Sequence, residues 1–425
     1  MTQHVLIIGC GGREAALGIK FRDAPSVDRV YVAPGNPGMT LLGLTSVPIA
    51  ENDFDGLIAF AKDHVDLTVV GPEAPLVGGV VDAFEAAGLA IFGVNQQLAQ
   101  LEASKQFAKA FMARHQLPTA AAVVVRSLRE AQTQLQQWQA PIVIKRDGLA
   151  GGKGVFVCQT TTQAQDQLHQ LYAEDSAMPL VLEEYLVGQE ASVMAFFADD
   201  RLVILPLSQD YKRRFSGDAG PNTGGMGAIS PAPQFTSQEQ AAAKHLMQAT
   251  ATGMMADGMR GCGVIYMGLI FTADGPKILE YNMRLGDPET QVLLPQIQED
   301  LYTVLTTLMA GETPRITLNG RYYLTLVMVH PQYPGATDRV VRVKIPEPKD
   351  LASDIWLPAA VDVDEAHLLT SAGGRVVDVV GCGATLRDAQ LVAEQLADQY
   401  AGELAYRRDI GYHAFKINRA KLPTL

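Results

Sequence analysis

Glu280 and Asn282 lie two residues apart in Lys277-Ile278-Leu279-Glu280-Tyr281-Asn282-Met283-Arg284, whose pattern predicts a strand. Alternate residues of a strand face the same way. The pair can therefore offer two oxygen ligands to one hard cation. Mg²⁺ favours such ligands, with substrate phosphates completing its shell. The turn that follows, Leu285-Gly286-Asp287-Pro288-Glu289-Thr290, adds two acids and a hydroxyl beside that strand. Taken alone the pattern fits a strand with one wet face equally well, so its meaning depends on the remainder of the chain.

Glycine-rich segments carry the other candidate chemistry. Gly9-Cys10-Gly11-Gly12-Arg13-Glu14 follows the first predicted strand, and such a turn brings backbone N–H groups close to a phosphate at a helix start. The dinucleotide fingerprint is incomplete. Glu14 or Ala15 stands where a third glycine belongs, and Ala33-Pro34-Gly35 ends the second strand without an acid for a ribose hydroxyl. A single phosphate beside Arg13 and Glu14 is expected in place of NAD, with a tight strand–helix turn as the alternative. Lys145-Arg146-Asp147-Gly148-Leu149-Ala150-Gly151-Gly152-Lys153-Gly154-Val155 is not a Walker A loop, because Gly154 replaces the Ser or Thr that would meet Mg²⁺. It joins two strands and can fold over a nucleoside triphosphate as a kinase loop does, with Lys145 neutralising phosphate charge. Downstream, the basic run Gln209-Asp210-Tyr211-Lys212-Arg213-Arg214 precedes Gly220-Pro221-Asn222-Thr223-Gly224-Gly225-Met226-Gly227. Exposed N–H groups beside positive charge suggest contact with an anionic substrate. Leu180 to Glu190 is an apolar strand running into an acidic turn, a weak signal for an adenine edge and ribose.

The elements that must hold these residues are readable in outline. Up to about residue 101 short apolar strands (4–9, 29–33, 67–70, 90–92) alternate with helical patterns (13–22, 53–63, 78–87, 95–101), which predicts βαβ units on a parallel sheet. Function then belongs at the carboxyl ends of the strands, where Pro34-Gly35-Asn36-Pro37-Gly38 and Gly71-Pro72-Glu73-Ala74-Pro75 also fall. A second unit follows, with strands at 121–125, 141–145, 155–158 and 180–183 and a helix at 161–173. Beyond 193 come strands, a long helix (236–257), the metal strand and a helix (291–310). The last segment returns to strands at 322–329, 340–345 and 375–379 and a helix at 385–400.

At 425 residues the chain calls for two to four domains. Its 48% hydrophobic and 19% charged content is that of an α/β protein. A net charge of −12 without a Lys/Arg block argues against a nucleic-acid partner. No signal peptide or membrane span is apparent, so no membrane partner is expected. Cys10, Cys158, Cys262 and Cys382 lack CxxC spacing and fit a reducing cytoplasm. His64, His115, His169, His245 and His367 read as surface residues, and His330 as structural.

Taken in order, these segments resemble the ATP-grasp superfamily. Along essentially the whole chain they resemble the phosphoribosylamine–glycine ligases (glycinamide ribonucleotide synthetases) of purine biosynthesis. The resemblance rests on GCGGREAA, PGNPG, GPEAPLVGG, ASKQFAK, KRDGLAGGKGV, EEYLVGQEAS, QDYKR, GPNTGGMGAISP, EYNMRLGDPETQ, GGRVVDVV and YRRDIGY, of which GPNTGGMGA and RLGDPETQ are the most specific. It implies an α/β and α+β multidomain fold. An N-terminal parallel α/β domain would span 1–101 and an ATP-grasp domain 102–320, with a lid at about 120–190. A C-terminal mixed β/α domain would span 321–425. It implies that ATP, glycine and 5-phosphoribosylamine give ADP, phosphate and glycinamide ribonucleotide through a glycyl phosphate.

Residue by residue, the resemblance implies that Glu280 and Asn282 bind Mg²⁺ or Mn²⁺. Lys105 and Lys145 would meet ATP phosphates, with Gly151, Gly152, Lys153 and Gly154 closing over them. Glu183, Glu184, Tyr185 and Leu186 would present backbone to adenine, and Glu190 would meet its ribose. Gly11, Gly12, Glu14, Asn36, Glu73, Pro221, Asn222, Thr223, Gly225, Gly286 and Asp287 would surround phosphoribosylamine. Asp210 would hold the glycine ammonium, and Arg284 its carboxylate or the forming acyl phosphate. The family usually has His at Ala15 and Tyr211 and Phe at Leu285. Losing two histidines near the substrate implies weaker phosphoribosylamine binding or an altered pH dependence, with activity retained. The rivals are another ATP-grasp ligase, a nucleotide-binding protein without turnover and, more distantly, an NAD-dependent oxidoreductase. A monomer is expected, although no sequence feature fixes the oligomeric state.

Overall fold

Four consecutive apolar residues, Val5 to Ile8, are completely buried because their strand is central to a sheet covered on both faces. In the computed structural model, which describes residues 2–149, 154–346 and 356–415, that sheet is parallel. It comprises β1 (Gln3–Gly9), β2 (Val27–Pro34), β3 (Thr45–Ser46), β4 (Leu67–Val70) and β5 (Ile91–Phe92) in the order β3-β2-β1-β4-β5. The chain leaves β1 toward one side and returns on the other, so the crevice lies beyond the ends of β1 and β4. The Gly9–Gly12 and Gly71–Glu73 turns emerge there.

The lid is an antiparallel sheet of β6 (Ala122–Val125), β7 (Ile142–Arg146), β8 (Val155–Cys158) and β9 (Leu180–Glu184), ordered β6-β9-β7-β8. Helices Leu128–Leu135 and Thr161–Glu174 close a core of its own, with Val125, Leu135, Ile142, Ile144, Leu168 and Leu171 buried. β10 (Gln189–Ala198) and β11 (Arg201–Ile204) begin the next sheet. Then come β12 (Gln209–Asp210), the hairpin β13 (Arg213–Phe215) and β14 (Ala219–Asn222), and β15 (Gly227–Ser230). β16 (Cys262–Thr272) and β17 (Gly275–Asn282) complete the sheet as β11-β10-β16-β17. The helix Ser237–Ala256 packs on it, started by a reciprocal capping box between Thr236 and Glu239.

The C-terminal strands are β18 (Tyr322–Val329), β19 (Trp356–Pro358), β20 (Val361–Val363), β21 (Leu369–Ser371) and β22 (Arg375–Gly383). They do not form a separate sheet. The order β12-β15-β18-β22-β19 joins strands from both sides of residue 320, and β15 pairs directly with β18. A boundary at 320/321 thus falls between two strands of one continuous sheet.

Several sequence expectations are corrected. The helix expected over 78–87 is two helices, Glu73–Gly78 and Val80–Ala86, because Gly79 takes the left-handed φ of +89°. The helix expected over 291–310 is broken where Pro295 withdraws an amide donor. A short helix Thr290–Leu293 and a 3₁₀ turn precede a new helix, Leu301–Met309, capped by Asp300. Residues 340–345 form no strand, only an isolated bridge between Arg342 and Thr370. The helix Leu386–Tyr400 lies directly on β22, where a Cβ at Gly381 would stand 2.0 Å from Ala389 O and 2.6 Å from Ala393 N. Both are helix backbone and neither can yield. Gly381→Ala is therefore expected to cost about 3 kcal/mol by overpacking, read as a lowered urea midpoint. An unchanged midpoint would contradict the close packing.

Candidate functional site

The metal strand departs from plain alternation. Gly268 pairs with Glu280 while Leu269 pairs with Ile278, which leaves Leu279 as a bulge. A bulge re-aims the side chains beyond it. Ile278 and Tyr281 consequently both point into the core, with the Tyr281 hydroxyl 2.9 Å from Thr250 Oγ1, while Glu280 and Asn282 share the other side. The bulged carbonyl is used as well, since Lys145 Nζ donates to Leu279 O at 3.2 Å.

Glu280 is 37% exposed in the cleft. Burial pushes its carboxyl up, but Lys212, Lys145, Lys105 and Arg284 outweigh burial and hold it below the ordinary value. Lys212 gathers three acids, Glu190 at 3.5 Å, Asp210 at 3.7 Å and Glu280 at 4.0 Å. Asp210, 9% exposed, is pushed to about 7 by burial and by Glu289, Glu190 and Glu280, against the pull of Lys212. Lys212 is raised well above its ordinary value, chiefly by Asp210. Three carboxylates around one ammonium leave a surplus of negative charge and hard oxygens, which fits a divalent cation at Glu280 and Asn282. Among the described residues no cluster of three or more His, Cys, Asp or Glu converges as a complete cage. A two-ligand site completed by phosphates suits Mg²⁺.

The sequence pointed to Gln209–Arg214 only as a basic run. In the structure Arg213 donates to Gly220 O and Arg214 to Tyr333 O, so Lys212 alone of the three faces the acids. Its spacing of two from Asp210 was the signal that could have singled it out. Tyr211, between them, points the opposite way. It is 2% exposed and stacks on His413, with centroids 5.5 Å apart. Ala15 is completely buried in its helix. Neither side chain faces the cleft, which corrects the expectation that these two positions touch substrate. Leu285, also buried, lines a small apolar cavity between the N-terminal domain and the β10–β16 sheet.

The nucleotide side is organised by Glu183. Its buried carboxylate is shared between Lys145 at 2.9 Å and Lys109 at 3.3 Å. Lys109 also reaches Thr119 Oγ1 and Ala120 O, a role the sequence did not reveal. Burial lowers the pKa of both Lys105 and Lys109, against the nearby carboxylates. Glu183 lies inside the ladder between β6 and β7, and the Glu184 amide donates to Ala121 O at 3.0 Å. Of the four residues expected to offer backbone to adenine, only Tyr185 and Leu186 lie beyond the paired strand. Asp147 docks the glycine-rich hairpin on the start of the helix Lys105–Arg114, accepting from Ser104 Oγ and Gln106 N. Lys105 Nζ reaches Gly148 O at 3.0 Å, and Arg146 N donates to Gly154 O at 2.8 Å. Gly151, Gly152 and Lys153 lie outside the described residues.

At the N-terminal loop Glu14 turns inward. It accepts from Gly11 N at 2.7 Å and pairs with Arg13 at 2.5 Å, filling space that a Cβ at Gly9 or Gly71 would need. Asn36 is spent as well. Its Nδ2 donates to Cys10 O and Ala359 O, each at 2.8 Å, while Oδ1 caps Met39 N. Both side chains hold the site together and leave little to offer a ligand, a correction to their expected substrate contact. Arg284 is committed too, to Glu102 at 3.0 Å and Glu73 at 3.3 Å. With two acids on one guanidinium the local charge is negative, which disfavours the second anion expected there.

The remaining loop is held by the C-terminal domain. Thr223 Oγ1 donates to Lys212 O and accepts from Gly225 N. A Cβ at Gly225 would strike Pro288, and Gly286 is equally hemmed in by Glu289. Asn222 ends β14, and Pro221 is exposed beside it. Arg375 donates to Gly224 O and Asp287 O and pairs with the Asp287 carboxylate at 2.8 Å. Asp218, at the hairpin tip with φ +56°, accepts from Tyr412, His413 and Arg407.

Residues 3–102, 103–290 and 323–413 match the N domain, the ATP-grasp (A) domain and the C domain of phosphoribosylglycinamide synthetase. A phosphoribosylamine–glycine ligase of Halalkalibacterium halodurans is 42% identical over 418 residues, 97% of each chain. One of Vibrio cholerae is 41% identical over 429 residues, covering 98% of this chain and 100% of that one. The crystal structure of the Thermotoga maritima phosphoribosylamine–glycine ligase superposes with a TM-score of 0.83 at 31% identity, covering 96% of this chain and 100% of that one. An ADP complex of N5-carboxyaminoimidazole ribonucleotide synthetase, at TM-score 0.66 and 15% identity over 93% of this chain and 96% of that one, shares the fold alone.

The Asp218 clamp yields a pH dependence. Burial raises its carboxyl, but the bonds from His413, Tyr412 and Arg407 outweigh burial and hold it far below the ordinary range. A depressed folded-state pKa contributes stability above the unfolded value, lost as pH falls toward the folded one. Asp218→Asn is expected to be less stable than wild type at about pH 7, with the gap closing below about pH 4. Urea midpoints across that range check this; a gap that stays flat to about pH 2 would show that the clamp does not act through the charged carboxylate.

Proposed function

The chain belongs to the phosphoribosylglycinamide synthetase family and is an ATP-dependent ligase of glycine in purine biosynthesis, and on that premise we propose how its cleft performs the reaction. The substrates are ATP, glycine and 5-phosphoribosylamine, and the products ADP, phosphate and glycinamide ribonucleotide. The observation that carries this reading is the convergence of Lys105, Lys145 and Lys212 on the Glu280 carboxylate. Such a cluster balances an acidic metal strand and still has positive charge to give to transferred phosphate.

In the first step a glycine carboxylate oxygen attacks the γ-phosphorus, the bond to the β-phosphate oxygen breaks, and ADP leaves. Lys105 and Lys145 take up charge on the phosphates, while Asp210 receives the glycine ammonium. Lys212, two residues on and on the same face, neutralises the carboxylate and the acyl phosphate that forms from it. Mg²⁺ or Mn²⁺, when held by Glu280 and Asn282, supplies further charge neutralisation at the phosphates. In the second step the phosphoribosylamine nitrogen attacks the acyl carbon, phosphate leaves, and the nitrogen loses a proton. No side-chain nucleophile is required. The hairpin at Gly148–Gly154 and the lid exclude water, which would otherwise hydrolyse the glycyl phosphate.

Tyr185, Leu186 and Glu190 form the nucleoside side of the proposal. Gly11, Gly12, Glu73, Pro221, Asn222, Thr223, Gly225, Gly286 and Asp287 form the phosphoribosylamine side, with Asn36 and Glu14 shaping the loops behind them. Arg284 aligns Glu73 with the metal strand. The domain limits 1–101, 102–320 and 321–425 belong to the same reading, as does a monomer. The four cysteines are all unpaired, which supports a cytoplasmic location. No helix among the described residues is long and apolar enough to cross a membrane.

ADP release should require glycine and freshly generated phosphoribosylamine together, and Glu280→Ala should abolish it. No release with both substrates present, while ATP still binds, would overturn the reading. Lys212→Ala is expected to lower kcat about 10²-fold, the scale for losing one preorganised charge contact. A change confined to the ATP KM would remove Lys212 from the chemistry.

A further inference from the structure

Asp378 is an anomaly in its strand. It lies mid-way along β22, between β18 and β19, paired in register with Val327 and Leu357. Val377 and Val379 on either side are completely buried, and Asp378 is 1% exposed. A carboxyl placed there costs several kcal/mol unless hydrogen bonds compensate. Its compensation is partial. Oδ2 accepts from Gln291 Nε2 at 2.8 Å, while Oδ1 is buried and has no partner among the described residues.

The same Gln291 nitrogen donates to Asp287 Oδ1, also at 2.8 Å. A primary amide nitrogen has two hydrogens, so Gln291 spends one on each carboxylate. The second Asp287 oxygen is taken by Arg375 at 2.8 Å. Asp287 is thereby fixed at both oxygens by residues of different domains. The assembly presses on the first glycine loop. A Cβ at Gly12 would stand 2.1 Å from Asp378 Oδ2 and 3.0 Å from Gln291 Nε2, and one at Gly11 would stand 3.7 Å from Asp287 Oδ2. The two acids therefore sit at the positive end of the eleven-residue helix Gly12–Arg22.

We propose that Asp378 is a positioning residue: through Gln291 it fixes the Asp287 carboxylate beneath the Gly11–Gly12 loop, in the orientation that receives phosphoribosylamine. The inference rests on the reading that this loop and Asp287 hold that substrate. The ionisation pattern agrees with an unequal pair. Burial and the neighbouring Asp287 push Asp378 to about 7, whereas Arg375 and Arg13 outweigh burial at Asp287 and hold it below the ordinary value. Asp287 is the charged member that a sugar hydroxyl or amine can meet, and Asp378 is the strut behind it.

The test compares Asp378→Ala, Gln291→Ala, the double variant and Asp378→Asn in the full chain. The KM for phosphoribosylamine and the Kd for glycinamide ribonucleotide are measured beside the KM values for ATP and glycine. Each single variant is expected to raise the first two about tenfold, the size of a lost hydrogen bond to a charged group. The ATP and glycine values should stay within about twofold. The double variant should be no worse than either single one, since both cut the same chain of contacts. Asp378→Asn, whose amide oxygen still accepts from Gln291, should return close to wild type. A fall in Tm alone, additive single effects, or equal rises in all three KM values would overturn the proposal as a merely structural role. If Asp378→Ala does not fold, Gln291→Ala decides alone: a raised phosphoribosylamine KM supports the proposal and an unchanged one overturns it. Asp287→Ala separates the two levels, because unchanged values there would overturn the phosphoribosylamine reading itself and this inference with it.

Discussion

A carboxylate removed from water persists only beside a cation or a set of donors, and the cleft of this protein is arranged around that constraint. Glu183 is shared by Lys145 and Lys109, Glu73 and Glu102 by Arg284, and Asp287 is held by Arg375. Asp210, Glu190 and Glu280 depend on Lys212. In nearly every case the partners come from segments far apart in the chain. Each pair therefore specifies how two elements meet, and the metal strand is the place where most of them converge. Buried pairs of this kind contribute less to stability than to uniqueness of arrangement, a hypothesis that fits their placement between domains.

The same constraint explains why the C-terminal segment belongs to the cleft. Its strands continue the sheet begun by β12 and β15. Arg375 grips the GPNTGG loop and the Asp287 turn, while Arg407, Tyr412 and His413 grip Asp218 at the hairpin tip. Asn36 ties the PGNPG turn to Ala359 from the other side. Glycines stand where these approaches are closest. Gly225 meets Pro288 and Gly12 meets Asp378, so a side chain at either would separate the domains it joins. The lid, by contrast, packs around a core of its own and meets the cleft through lysines and a docked loop.

Elements governed by local pattern were legible in the chain. The alternating strands and helices of the first hundred residues, the long helix capped by Thr236, and the strand carrying Glu280 and Asn282 follow from apolar periodicity and capping chemistry, which act over a few residues. The motifs that carry the family resemblance fixed the chemistry for the same reason, since each is a short run whose residue types must occur together. Gly79 and Pro295 show the limit of periodicity, because a single residue split a helix that the apolar pattern alone would have continued.

What tertiary structure decided is which side chains remained free. Arg284, Asn36 and Glu14 look like ligand-facing groups when read along the chain, yet each is committed to protein partners brought there by folding. Lys212 is one of three adjacent cations in sequence, and it faces the acids only because Arg213 and Arg214 are occupied elsewhere. Tyr211 and Ala15 sit inside catalytic-looking motifs but point into cores. Asp378 is an unremarkable letter in an apolar strand until Gly12 and Gln291 close on it. Sequence alone determined the family, the chemistry and the local elements, because these depend on residue type and short spacing. The working assignment of each charge depended on partners hundreds of residues away, and only the folded chain could supply them.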